Sequence, residues 1–430
     1  MTDYQVLVIG PRRGLIEVLR ARTIPFSVWQ EKNYFVANAP QKSVTAPLWN
    51  SPEKIREQIR TSFPREQFTH VIAGTEAGVL PAAIARRQLG ARLSSTVTGN
   101  RCRDKLLMKE YLSGFGIPMT RYMADREGMD PVQVFAALGS PVVRKYRKSS
   151  GGKGLQLIHR PEDFAPGTHG LSILERYIDA PEASIESFID HGQIRFTNIT
   201  RYEVKGHTNF VPAVFDSECE RTLRSLNERV IHALHIGWGM THLEVYLTAK
   251  GPLFGEIALR PPGGYIMNAL QHAWDFNPWE AFLAMELGEK FEFPTEPVNY
   301  AAAEVLHPGA GRVTAVRGKS AVLAEQGVRE FRIKVKPGDV IDARSGLGQD
   351  AGYVLHASAS AQERQKLHDM INKDLVIEIR GSLPASDRLL MSVYKRSLAG
   401  KLPRISITKS LLIMSCSFCR SCALALACST

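Results

Sequence analysis

With 430 residues, 44% hydrophobic and 23% charged, the chain is too long for one ordinary domain and reads as a folded protein of two or three lobes around a site. Its formal net charge is +11, but seven Lys/Arg and one acid fall in residues 381–430, so the body is only mildly basic and a nucleic-acid partner is not expected. No uninterrupted apolar run reaches about 18 residues, and polar Thr2 and Asp3 lead straight into an apolar strand where a signal peptide would stand. Cys102 and Cys219 are far apart in the body, so no disulfide framework is read, and the expectation is a cytoplasmic protein with no membrane partner.

The first hundred residues alternate strands and helices. Tyr4–Gly10 is an apolar strand and Gly14–Arg22 a helix; Ile24–Trp29 is a second strand, Pro52–Thr61 a polar helix, His70–Gly74 a third strand and Val79–Leu89 an amphipathic helix. That spacing predicts a parallel α/β sheet. The turn Gly10–Gly14 lacks the third glycine of a dinucleotide fingerprint and has Pro11 where a close backbone approach is wanted, so no nicotinamide site is expected. Asp104–Gly116 predicts a helix stopped by glycine before Pro118. Pro141–Tyr146 and Leu155–His159 flank the turn Ser149–Gly154 as a hairpin with a mobile loop. Leu171–Ile178 and Ser184–Asp190 are strand candidates, Gln193–Val204 reads as one long strand pair, and Cys219–Leu234 as a helix. Met240–Thr248 and Pro252–Arg260 are two strands joined by a turn, and Trp279–Leu287 is a helix. Residues 301–380 return to short strands and turns with a closing helix near Ala361–Lys373, and from Gly381 the periodicity fades.

Three groups of residues carry chemistry. Lys105 sits at a helix start and Lys145 on a strand before the glycine-rich loop, where backbone N–H groups and ammonium charges suit phosphate oxygens. The alternative is a plain hairpin turn with two solvated lysines, and the loop is not a Walker A sequence. Glu244 and Glu256 each lie inside an otherwise apolar strand. A carboxylate on a buried face needs a cation or a donor, and two of them on adjacent strands suit Mg²⁺, unless both face solvent. Arg260 follows the second strand and can clamp a carboxylate or acyl phosphate, or else pair with one of the glutamates.

Together these segments resemble the ATP-grasp ligases over roughly residues 1–380. The resemblance rests on GTEAGVLPAAIARRQLG with TGNRCRDKLLMKEYLSGFGIP, on PVVRKYRKSSGGKG, on LERYIDAPEASIE and on THLEVYLTAKGPLFGEIALRPPGG, in that order. It implies an α/β class, α+β in the ATP-grasp lobes. The N-terminal parallel α/β domain would span 1–100, and the two-lobed ATP-grasp domain 101–300 with a lid at 118–180. A small C-terminal β-rich lobe would span 301–380, with a poorly ordered basic tail at 381–430. It assigns Lys105 and Lys145 to ATP phosphates and adenine, and lays Ser149, Ser150, Gly151, Gly152 and Gly154 over the phosphates. Glu175 and Ile178 would meet the adenine edge and Glu182 the ribose hydroxyls. Glu244 and Glu256 would hold Mg²⁺ (or Mn²⁺), Arg260 would stabilise the acyl phosphate, and His242, Arg260, Gly263 and Gly264 would line the substrate pocket. Ala258 stands where many members have Asn, which puts the second metal in doubt. The phrase Thr241-His242-Leu243-Glu244 is similar to the L-amino-acid ligase branch, although His242 also reads as a packed strand histidine.

The expected function is therefore ATP- and Mg²⁺-dependent ligation of a small carboxylate to an amine, amino acids in particular, of the dipeptide-forming kind found in natural-product biosynthesis. The competing readings are a purine-pathway or biotin-carboxylase-like carboxylating enzyme, which Glu256-Ile-Ala-Leu-Arg-Pro261 favours, and a non-catalytic ATP-binding regulator. The sequence leaves the assembly open between a monomer and a homodimer. In the tail, Cys416, Cys419 and Cys422 have metal-binding spacing, but only Cys428 accompanies them, and an aberrant extension is the better reading.

Overall fold

The computed structural model of the protein describes residues 4–32, 40–49, 51–91, 95–165, 170–344 and 349–381. The tail cysteines lie outside the described residues.

The chain opens with β1 (Val6–Ile9), α1 (Arg13–Ala21), β2 (Phe26–Gln30), β3 (Ser43–Thr45), α2 (Pro52–Ser62), β4 (His70–Ala73) and α3 (Val79–Leu89). The four strands form a parallel sheet in the order β3-β2-β1-β4. All residues of β1 and β2 are buried, as strands covered on both faces must be. Ser51 caps α2 and Pro52 sits at its first turn, where its missing N–H costs nothing.

After α4 (Thr96–Arg101) and α5 (Lys105–Ser113) comes a small sheet of β5 (Tyr122–Ala124), β6 (Val142–Tyr146), β7 (Gln156–Ile158) and β8 (Ser172–Arg176), ordered β5-β8-β6-β7. It is backed by α6 (Pro131–Leu138), whose Val134 and Leu138 pack on Val142, Ile158 and Leu174. The hairpin expected around the glycine loop is β6–β7, paired antiparallel.

The central sheet is built from β9 (Glu182–Asp190), β10 (Gln193–Val204), β11 (Thr208–Val211), β12 (Gly239–Thr248) and β13 (Gly251–Ala258), with α7 (Ser217–Ala233) between β11 and β12. Residues 193–204 are a single twelve-residue strand, not a strand pair; it pairs antiparallel with β9 before it and with β11 after it. Then follow α8 (Ile266–Trp274), α9 (Pro278–Leu287), β14 (Tyr300–Leu306), β15 (Gly311–Arg317), α10 (Lys319–Ala324), β16 (Val328–Ile333), β17 (Val340–Ile341), β18 (Gly352–Ser358), α11 (Ala361–Asp374) and β19 (Val376–Arg380). Three of these late strands extend the central sheet, which reads β13-β12-β9-β10-β11-β14-β18-β16; only β17-β15-β19 stand apart. The boundary expected near residue 300 is thus crossed by the β11–β14 ladder.

Alternation along the central strands decides where the site lies. One face carries Ile185, Leu243, Val245 and Ile257, buried under Leu223, Leu226 and Val230 of α7. The other face is apolar at one end, where Phe188, Phe196 and Met240 pack against Trp274 of α8 and Phe282 of α9. At its other end the same face presents Ser184, Glu186, Asn198, Thr200 and His242, all buried, with Glu244 and Glu256 beyond them.

Candidate active site

That polar end is the floor of a cavity of about 470 Å³. Its walls bring together Lys105, Lys145, Ser149, Ser150, Gly151, Gly152, Glu182, His242, Glu244, Glu256, Arg260, Gly263 and Gly264, thirteen of the residues singled out from the sequence. Gly154, Glu175 and Ile178 are not among the lining residues.

Local structure fixes each piece. Asp104 caps α5, accepting from the N–H groups of Leu106 (3.2 Å) and Leu107 (3.3 Å), and Arg147 grips the same carboxylate at 2.8 and 2.7 Å. Lys105 therefore starts its helix in a set direction. Its Nζ donates to the carbonyl of Ser149 at 2.8 Å and lies 3.3 Å from Glu256, tying the glycine loop to β13. The loop takes positive φ at Gly151, Gly152 and Gly154. At Gly154 a Cβ would also fall 2.2 Å from the Tyr146 ring, so the last turn of the loop requires glycine.

Glu244 and Glu256 are register partners on β12 and β13. The register shifts just after them, at Gly255, where a Cβ would stand 2.9 Å from the Glu244 carbonyl. Opposed residues on an antiparallel pair share a face, so the two carboxylates project together into the cavity. Glu244 lies 3.4 Å from His242 Nε2, while His242 Nδ1 is 2.9 Å from Glu186. Glu186 is fully buried and also accepts from Ser184 (2.6 Å), Asn198 (2.9 Å) and Thr200 (2.7 Å). Burial works against the His242 imidazolium, but the two carboxylates outweigh it and push its pKa up to about 9, so the ring is charged at neutral pH. Burial likewise opposes the Glu244 carboxylate, yet His242, Lys205 and Arg260 hold it below the ordinary range.

Lys145 pairs with Glu175 at 2.9 Å, and Lys109 approaches the other oxygen of Glu175 at 3.5 Å. Glu175 is buried and its carboxylate is directed at these two ammonium groups, since a carboxylate inside the fold is held by the nearest cations. Burial pulls the Lys109 ammonium down to about 8, with Glu175 opposing. Ile178 is partly buried in the segment after β8. Arg260 donates to Glu76 at 2.9 Å, not to either strand glutamate, and Glu76 also holds Arg103. Gly264 adopts φ +60, and its carbonyl accepts from Asn209 at 2.8 Å.

Sequence reasoning missed Glu76, Glu186, Lys205 and Arg12. Lys205 bonds both oxygens of Glu182 at 2.6 Å. Glu186 carried the signal used for Glu244, an acid inside an apolar strand, and was findable by it. Glu76, flanked by Thr75 and Ala77 after an apolar strand, offered a weaker form of the same signal.

Residues 304–380 match the L-amino acid ligase C-terminal domain 2. The L-arginine-specific L-amino acid ligase of Bacillus subtilis is 24% identical over 335 residues, covering 73% of this chain and 80% of its own. The crystal structure of an L-amino acid ligase from Bacillus licheniformis superposes with a TM-score of 0.74 at 19% identity, covering 88% of this chain and 99% of that one. The Aspergillus clavatus carboxyaminoimidazole ribonucleotide synthase, solved in complex with ATP, superposes with a TM-score of 0.69 at 16% identity, covering 87% and 100%. In fold, and in these relatives, the chain is similar to the ATP-grasp ligases, the class that forms carbon–nitrogen bonds. Within that class the chain is L-amino-acid-ligase-like. No helix among the described residues is long and apolar enough to cross a membrane.

Proposed function

We propose that the protein joins an amino acid, or another small carboxylate, to an amine at the expense of ATP, in the dipeptide-forming manner. The observation that carries this reading is the meeting of two opposed glutamates, a glycine loop, two lysines and an arginine in one cavity. Lys105, Lys145 and the N–H groups of Ser149–Gly152 would hold the triphosphate. Glu182, with Lys205 as its counter-ion, would take the ribose hydroxyls. Glu244 and Glu256 fit Mg²⁺, which needs only one or two carboxylates beside substrate phosphates; they are like charges set opposite one another, an arrangement that a cation relieves. When bound there, Mg²⁺ supplies charge neutralisation for the transferring phosphate.

The chemistry of the protein side follows. The substrate carboxylate attacks the γ-phosphate and forms an acyl phosphate as the bond to the β,γ-bridging oxygen breaks and ADP leaves. Arg260, held by Glu76 at the cavity wall, faces the charge that develops there. An amine attacks the acyl carbon and inorganic phosphate leaves. Closure of the β6–β7 loop excludes water that would hydrolyse the intermediate. The test is a screen of ADP release over pairs of amino acids and small carboxylates, with bicarbonate as a competing substrate and mass spectrometry of the product. Turnover with bicarbonate alone, and none with amino acids, overturns the reading.

A further inference from the structure

A second cavity, of about 810 Å³, lies on the N-terminal domain's side of Glu76 and shares Arg12, Thr75, Glu76, Ser150 and Lys153 with the first. Its charge is unbalanced. Arg12 donates through Nη1 to the carbonyls of Pro261 (3.5 Å) and Pro262 (3.1 Å), and its guanidinium lies 5.0 Å over the Trp279 ring. These contacts fix its position, yet no carboxylate pairs with it among the described residues. Burial and the nearby Arg260 charge pull its pKa down to about 10, so it is a cation at neutral pH with no anion beside it.

Arg20 lies on the same face of α1 as Ile16 and lines the cavity. Among the described residues, its Nε and Nη2 are buried with no hydrogen-bond partner. These two atoms form the guanidinium edge that takes a carboxylate in two parallel bonds. Gln30 is 1% exposed; its Nε2 donates to Ser43 at 3.1 Å, and its Oε1 has no partner. Of the three acids in the wall, Glu17 is engaged by Arg13 at 2.7 Å and Glu76 by Arg103 and Arg260, while the third, Glu31, is exposed. Ile16, Leu48 and Trp49 give the cavity an apolar side.

We propose that this cavity seats the amine substrate, and that this substrate is an amino acid or short peptide whose free carboxylate binds at Arg12 and Arg20; the inference rests on the ligation proposed above. With its carboxylate on Arg12, the substrate's amine points through the shared wall toward Arg260 and the acyl carbon. Gln30 Oε1 is left for a donor farther along the substrate.

The test uses the full chain as wild type, Arg12→Gln and Arg20→Met, with ATP, one carboxylate and three acceptors: hydroxylamine, an L-amino acid, and the C-terminal amide of that amino acid. The wild type should use the acid over the amide by about tenfold or more in kcat/KM. Both substitutions should shrink that preference toward unity through the KM for the acceptor, and should lower amino-acid ligation far more than hydroxamate formation. Arg20→Met guards against misfolding, because the unbonded edge of Arg20 leaves less of the fold to lose than Arg12, which holds two carbonyls. The proposal falls if the wild type uses amide and acid equally, or if both folded variants keep the full preference. Carboxylate-dependent hydroxamate without a preference removes only this seat, whereas no hydroxamate with any carboxylate removes the ligase reading and the seat together.

Discussion

Glu244 and Glu256 stand opposite each other across an antiparallel strand pair, next to a shift in register, with Lys105 3.3 Å from one and His242 Nε2 3.4 Å from the other. Two like charges placed this way weaken a sheet, and the cost is tolerated where a functional cation is to be held.

Glu256→Gln should therefore separate function from stability. Loss of one charged ligand should lower ADP release by about a hundredfold or more, since charge compensation of the phosphate is lost in the transition state. Thermal stability should stay about level, because the cross-strand repulsion is removed while the Lys105 ion pair at 3.3 Å is lost with it. A folded Glu256→Gln protein with near-normal ADP release would falsify the metal-ligand role.

Lys145→Ala should raise the KM for ATP and lower kcat together. The same change leaves Glu175 buried with Lys109 as its remaining cation at 3.5 Å, so it should also destabilise the small sheet, by about 3 kcal/mol on the scale of a broken buried pair. ATP kinetics and melting are measured on the same samples. Unchanged ATP kinetics with a lowered melting temperature would leave Lys145 only its structural part.

A third prediction concerns the extended end of the central sheet. Glu304 on β14 is fully enclosed by Thr208 (2.7 Å), His368 (2.7 Å) and His356 (3.3 Å). Burial opposes its charge, but the two histidines hold its pKa below the ordinary 4.5. Burial also opposes the His368 imidazolium, and Glu304 raises its pKa above 6.5 all the same. The carboxylate contribution is present above pH 4.5 and lost as pH falls toward the depressed value; the imidazolium contribution is present below pH 6.5 and lost as pH rises through the raised one. The stability difference between wild type and Glu304→Gln should thus be largest between pH 4.5 and 6.5, about 3 kcal/mol, and narrow on both sides. Denaturant melts across pH 4–9 check this, and a difference independent of pH would remove the ion pair as its source.

What the sequence revealed, and what it hid, follow from the range of the interactions. Val79–Leu89 was legible to the residue because an apolar face and a glycine stop are local signals. The short α4, with sequence Thr96-Val-Thr-Gly-Asn-Arg101, was not, since its residues have weak helix propensity and Ser95 caps it from outside. Glu244 and Glu256 announced themselves as acids in apolar strands. Arg12 did not, because what marks it is the lack of a carboxylate and a contact with Pro261 and Pro262 almost 250 residues away. The extension of the central sheet by β14, β18 and β16 was hidden for the same reason: strand pairing is decided by partners that no local pattern names.

Removing residues 385–430 should leave ATP-dependent ligation within about twofold of the full chain, because the described residues that line the two cavities all precede it. Every described residue lining the first cavity precedes Leu306, and every described residue lining the second precedes Gly154. The segment matched to the L-amino acid ligase C-terminal domain 2 ends at residue 380, where β19 completes the small sheet by pairing with β15. Its last register partners, Arg312 and Arg380, already lie on the retained side of the cut. What the cut removes is seven Lys/Arg against one acid, and four of the six cysteines, so lower thiol-driven association and a less basic protein should be the measurable gains. Light scattering with and without reductant, run beside the ADP assay, separates the two effects. Loss of ligation in a truncated protein that melts like the full chain would place the tail at the site and reopen metal binding by Cys416, Cys419 and Cys422.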